Sequence, residues 1–292
     1  MNPYLDSNNI NSYKIDENSK NDFQNENRQI NNNHNLQINN INPNFINNYA
    51  INYSKSNNIN NNNNNNSSNQ ELSSEDIDKI IRIGFIRKVY GVLLVQLIIT
   101  FGICCLSFIE KIRDFVSSHT LIYYLVAIVA FILVIILSCF KKVAKKVPIN
   151  YILLFVWTLC EGYLLLTLCS YYSFKIVLMA LGLTVGITVG LTIYACKTKT
   201  DFTMCGGLLF CFLIGFIFFG LFGFWFGKWV YTLYCFLGVL LFSVYLIYDT
   251  QLVLKKFGVG YDIDDYVFAA LSIYIDIINI FIYILSLLGS NN

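Results

Sequence analysis

Seven stretches of about twenty apolar residues, separated by short connections, constrain this 292-residue chain more than any motif in it. About twenty apolar residues in a helix match the hydrocarbon thickness of a bilayer, and in lipid the helix satisfies its own backbone hydrogen bonds. The spans are placed near residues 88–108, 121–140, 149–171, 175–195, 203–225, 229–252 and 266–288. Connections this short hold no soluble domain between spans and make neighbouring helices antiparallel. With 55% hydrophobic and 13% charged residues, the composition is that of a multi-pass membrane protein. The expected fold is an all-α membrane protein, a seven-transmembrane-helix bundle preceded by a disordered N-terminal tail.

The tail, residues 1–74, is rich in Asn; positions 57–66 are all Asn except Ile59. Such a segment buries too little apolar surface to offset the entropy of ordering, so the folded domain is expected over 75–292. The first thirty residues lack the basic start and apolar core of a secretory signal, which makes the first span its own insertion signal. Positive charge sets the orientation. Twelve Lys and Arg flank one side of the spans (Lys79, Arg82, Arg87, Lys88, Lys141, Lys142, Lys145, Lys146, Lys197, Lys199, Lys255, Lys256), against four on the other (Lys111, Arg113, Lys175, Lys228). The basic loops and the tail are therefore expected in the cytosol, with Asn292 on the opposite side unless the last segment re-enters.

Three acids interrupt the spans, and no Lys or Arg lies in the interior of any of them: Glu161 in the third, Asp249 in the sixth and Asp276 in the seventh. An ionised carboxylate in hydrocarbon costs roughly 2.5–3.5 kcal/mol on insertion scales, so it must be protonated, share a proton or hold a cation. Each outcome points to proton or metal-ion handling. Ser272, Asp276 and Asn279 fall at i−4, i and i+3, on one helical face whose oxygens suit a hard cation or serve as interhelical glue. Tyr245, one turn before Asp249, is a candidate donor to it. In an antiparallel hairpin both aspartates occupy the cytosolic half, at depths differing by about one turn, which tilt or unwinding absorbs. Two adjacent carboxyls share a proton and titrate as a unit. Glu161 is expected to be protonated and hydrogen-bonded across a helix interface.

Other chemistries find little support. His34 and His119 are the only histidines, so no His-based zinc site can be assembled, and no basic stripe offers a footprint for nucleic acid. The nine cysteines contain no C-x-x-C pair and read as small core residues, although a disulfide such as Cys105 with Cys169 remains open. Gly182, Gly186 and Gly190, flanked by Thr184, Thr188 and Thr192, form a small-residue stripe expected to pack closely against a neighbouring helix, as are Gly215, Gly220, Gly223 and Gly227.

Four runs carry a resemblance: Gly84-Phe85-Ile86-Arg87-Lys88-Val89-Tyr90; Lys197-Thr198-Lys199-Thr200-Asp201-Phe202-Thr203; Tyr248-Asp249-Thr250-Gln251; and Asp265-Tyr266-Val267-Phe268-Ala269-Ala270-Leu271 continuing through Asp276-Ile277-Ile278-Asn279. In order and spacing, over about residues 79–289, the chain resembles the transmembrane Bax inhibitor motif family, its Lifeguard branch most closely. The resemblance implies a non-enzymatic protein of internal membranes, endoplasmic reticulum or Golgi, without a resident cofactor. It further implies a calcium leak under pH control and suppression of programmed cell death, with Asp249 and Asp276 as the paired aspartates that sense pH and meet the transported calcium. The family's bacterial member closes its pore with an Arg of the second helix. No basic residue precedes Lys141 in that helix here, which leaves the identity of any closing cation open. Two alternatives stand beside the channel. One is a scaffold that docks membrane regulators of cell death without conducting ions. The other, an intramembrane aspartyl protease, would need a Gly-x-Gly-Asp run, whereas Asp276 follows Tyr274-Ile275.

Overall fold

The structure, a computed structural model, describes residues 74–222 and 227–290, so the Asn-rich segment before residue 74 and Gly223 lie outside the described residues. It divides into two units, Met1–Ile80, of which only the start of the first helix is described, and Ile81–Asn292, which holds the bundle. The helices are α1 (Ser74–Cys105), α2 (Glu110–Ser118), α3 (Thr120–Cys139), α4 (Lys141–Ala144), α5 (Ile149–Ser170), α6 (Phe174–Lys197), α7 (Gly206–Phe222), α8 (Lys228–Leu254) and α9 (Tyr266–Gly289). Seven of them, all but α2 and α4, are long and apolar enough to cross a membrane. The protein is a multi-pass integral membrane protein.

The expected spans match α3, α5, α6, α8 and α9 within a few residues. α1 starts well before residue 88 because its charged first turns continue the same helix. α9 runs unbroken for 24 residues, about 36 Å, long enough to cross a bilayer. The short α2, between the first two spans, was not expected.

α9 is the axis of the bundle. Val267, Ala269, Ala270, Tyr274, Ile280 and Leu285 are all fully buried, and α9 packs most extensively on α8, then on α6. Its small residues, such as Ala269 and Ala270, let neighbours approach, and its polar residues find partners only inside the bundle. At Gly238 of α8 a Cβ would collide with the Tyr283 ring of α9, so that crossing is shaped around a missing side chain. The outward faces carry large apolar residues, among them Phe131, Phe210 and Leu221, as lipid contact requires.

Hydrogen bonds between side chains link α1 to α5 and to the axis. Gln96 of α1 donates to Thr158 of α5 at 3.1 Å, and the hydroxyls of Thr100 and Tyr274 meet at 2.6 Å. Trp157 packs edge-on against Tyr274. These groups have no water to return to in a bilayer, so each must find a partner within the bundle.

The glycine stripe of α6 departs from expectation. A Cβ at Gly182, Gly186 or Gly190 would meet nothing within 4 Å, so the stripe lies open on the outside of α6. The helix buries the adjacent face instead, through Val177, Ala180 and Thr184. Of the second set, Gly215 and Gly227 are equally open, while Gly220 packs tightly against Tyr234.

Candidate functional site

At the end of the bundle that carries most of the basic residues, helix termini are fastened by side chains from other elements. Gln251 of α8 donates to the Thr200 carbonyl and accepts from the Phe202 amide, both at 2.9 Å. The Lys256 ammonium donates to the Ala195 and Cys196 carbonyls at the end of α6. Lys145 pairs with Asp265 at 3.0 Å and with Asp262 at 3.6 Å. Asn150 donates to the Tyr266 hydroxyl at 3.0 Å, while the Lys88 ammonium sits 3.3 Å from the centre of the same ring. A cation near the last turn of a helix offsets the partial negative charge of its free carbonyls, which is what Lys256 does for α6.

Behind this layer, α8 and α9 bring the two aspartates together. Asp249 is 7% exposed and Asp276 is 3% exposed, and their carboxyl groups contact each other. Asp276 Oδ2 is buried without a hydrogen-bond partner. The depth difference of one turn is absorbed by the connection. Lys255 takes the left-handed conformation (φ 51°) that ends α8, and the Tyr261 amide then donates to the Leu252 carbonyl at 3.3 Å. The chain has thus turned back along α8 before a short 3₁₀ turn, Ile263–Asp265, leads into α9.

That return path supplies a residue the sequence reading missed. Tyr261, not Tyr245, donates to Asp249, with its hydroxyl 2.9 Å from Oδ1 and 3.4 Å from Ser272 Oγ. Tyr245 stays within electrostatic reach of both aspartates and makes no hydrogen bond to either. Tyr261 lies outside the spans. Burial first, then the neighbouring Asp249, raises its pKa well above 10, so the phenol keeps its proton and acts only as donor at neutral pH.

The remaining candidates divide. Ser272 reaches the site through Tyr261, whereas Asn279 donates to its own helix at the Ile275 carbonyl (2.8 Å) and leaves only its oxygen for other uses. Glu161 lies away from the pair, near Tyr123 and Tyr274, and gains no hydrogen bond across a helix interface. Cys104, rather than Cys105, neighbours Cys169: one step along a helix rotates a side chain by about 100°, and Cys105 faces outward. All nine cysteines are free thiols. Among the described residues no group of three or more His, Cys, Asp or Glu gathers as a metal cage, so a cation at the pair would have two carboxylates and other oxygens.

Comparison with known proteins gives this arrangement its setting. Residues 82–292 match the family model described as "Inhibitor of apoptosis-promoting Bax1". The chain is 37% identical to Protein lifeguard 3 of Homo sapiens over 222 residues, covering 74% of this chain and 71% of that protein. It is 35% identical to Protein lifeguard 3 of Mus musculus over 222 residues, with 74% and 72% covered. To Protein LIFEGUARD 4 of Arabidopsis thaliana it is 32% identical over 213 residues, with 71% and 85% covered. The matched region takes in every span and both aspartates, and by that extent the chain belongs to the Bax inhibitor motif family, among proteins of the Lifeguard type.

Proposed function

We propose that this protein is a pH-controlled calcium leak pathway of an internal membrane, endoplasmic reticulum or Golgi, with the tail and the basic end in the cytosol, and that through calcium it restrains programmed cell death. The observation that carries the reading is the contact between two buried carboxyls, Asp249 and Asp276, one oxygen of which lacks any partner. Two like charges in low dielectric repel strongly, and a shared proton removes most of that repulsion. At lower pH the shared proton keeps α8 and α9 together and the pathway closed. At higher pH the proton leaves, the charges favour an open arrangement, and a divalent cation relieves the same repulsion. Calcium takes six to eight oxygen ligands, so backbone carbonyls, the Asn279 oxygen or water complete its shell. Proton and calcium compete for one place. The family description, which names an inhibitor of apoptosis, supports the link to cell death.

The test is calcium flux from liposomes holding the purified full chain, read across pH 5–8. Asp249→Asn and Asp276→Asn should each flatten the pH dependence, by about tenfold at the pH of greatest contrast, and the double variant should add little because the acids act as a unit. Wild-type pH profiles in both single variants would reduce the pair to structural glue. A scaffold that only docks regulators would show no flux at all.

A further inference from the structure

We propose that Tyr261 is a lid that closes the aspartate pair from the basic end of the bundle, and that Arg82 of α1 is the positioning residue that holds the lid shut. The guanidinium of Arg82 donates from Nη1 to the Tyr261 carbonyl at 2.7 Å and from Nη2 to the Leu252 carbonyl at 2.6 Å. One side chain therefore clamps the end of α8 to the returning connection. The Leu252 carbonyl also accepts from the Tyr261 amide at 3.3 Å. There is no slack in this turn: a Cβ on Gly260 would run into the Leu252 carbonyl oxygen and press on Arg82 Nη2. The clamp is itself seated, with the guanidinium 4.5 Å from the centre of the Phe85 ring. From this anchor the Tyr261 ring, edge-on to Phe268, extends to Asp249 and Ser272, bridging α8 and α9 at the level of the pair.

The chemistry makes phenol and cation mutually exclusive. A phenol donates a hydrogen to Asp249 Oδ1, and a cation needs that same oxygen as a ligand. Ions reaching Asp249 from the basic end must first displace Tyr261, which means breaking or shifting the Arg82 fork. The fork suits Arg, whose Nη1 and Nη2 each reach one carbonyl, whereas the single nitrogen of a Lys would have to reach both from one point. Facing the phenol are Asp249 and Ser272, with Asp276 within electrostatic reach; Tyr245 and Tyr248 neighbour Asp249 on its own helix, and Asp262 lies beside Arg82 in the connection. The phenol keeps its proton, so any pH response belongs to the acids and the lid sets access to them.

Two readouts on the full chain in liposomes separate this inference from the conduction reading on which its effect on flux rests. The first is the rate at which a water-soluble carbodiimide with an amine nucleophile modifies Asp249, followed by mass spectrometry at several pH values. The second is calcium flux. Tyr261→Phe keeps the ring and removes the donor; it should speed Asp249 modification roughly five- to tenfold at every pH, the order expected for one lost hydrogen bond to a carboxylate. Arg82→Gln should do the same, Arg82→Lys should fall between, and Tyr261→Phe with Arg82→Gln should gain no more than either alone. Unchanged modification in Tyr261→Phe, which keeps the ring and its contact with Phe268, would overturn the lid. So would multiplied effects in the double variant. Faster modification without flux in any variant, wild type included, would uphold the lid and refute conduction. Wild-type flux with modification equal in all variants would do the reverse.

Discussion

α9 and α7 have similar hydropathy and opposite fates: 67% of the most apolar stretch around α9 is buried, against 6% around α7. The difference lies in side-chain size and polarity. α9 carries Ala269, Ala270, Ser272, Tyr274, Asp276, Asn279 and Ser286, small or polar groups that pack or pair inside a bundle. α7 carries Phe210, Phe212, Phe218, Phe219 and Phe222, which suit lipid. In a membrane apolarity sends both helices into the bilayer and gives neither a place in the bundle, because lipid tails are as apolar as Leu. Packing and hydrogen bonding choose the axis.

The sharpest way to break this contrast is to remove a large side chain from each helix. Leu285→Ala, at a fully buried position, should destabilise the bundle by about 2–4 kcal/mol, while Phe210→Ala, at a position 59% exposed, should stay within about 0.5 kcal/mol. Thermal unfolding of the purified variants measures both, and equal losses would mean that α7 is covered in the assembled protein. A smaller effect is expected at Glu161, whose separation from the aspartate pair makes it a supporting group. Glu161→Gln should leave calcium flux within about threefold, under 1 kcal/mol. A change in the pH profile as large as that of Asp249→Asn would place Glu161 on the ion route. The smallest effect is expected at the surface of the basic end. Burial lowers the Lys145 pKa, but Asp265, Asp262 and Asp264 more than offset this, so it ends above its ordinary 10.5. A pKa raised on folding contributes stability below the unfolded value and loses it as pH rises through the folded one. Lys145→Gln should therefore cost no more than about 1 kcal/mol from pH 6 to 9, with the difference from wild type narrowing above pH 10.5.

Much of this architecture is legible in the amino-acid sequence, because span length and charge asymmetry are local properties. The meeting of Asp249 with Asp276 is legible too, since an antiparallel hairpin of known length fixes depth to about a turn. Helix phase is harder to read. Cys105 and the Gly182 stripe were assigned to packed faces that the structure turns outward, because a pattern of small residues tells which face can pack and not which face does. Tyr261 was hidden for a different reason. Its role depends on the return path of a connection, set by Arg82 from a helix about 180 residues earlier, and no local periodicity encodes that contact. The visible signal was a Tyr between Gly260 and Asp262 in the connection from α8 to α9.

The central position of α9 has a consequence for biosynthesis. Chains emerge N-terminus first, so the helix at the axis is the last of the seven to leave the ribosome. Until it arrives, Thr100 lacks the Tyr274 hydroxyl, Trp157 lacks its ring contact and Asp249 waits without Asp276. Six inserted helices thus hold polar groups whose partners have yet to arrive. Quality-control factors that survey membranes for exposed polar side chains would meet this protein in that interval, and the insertion of α9 ends it.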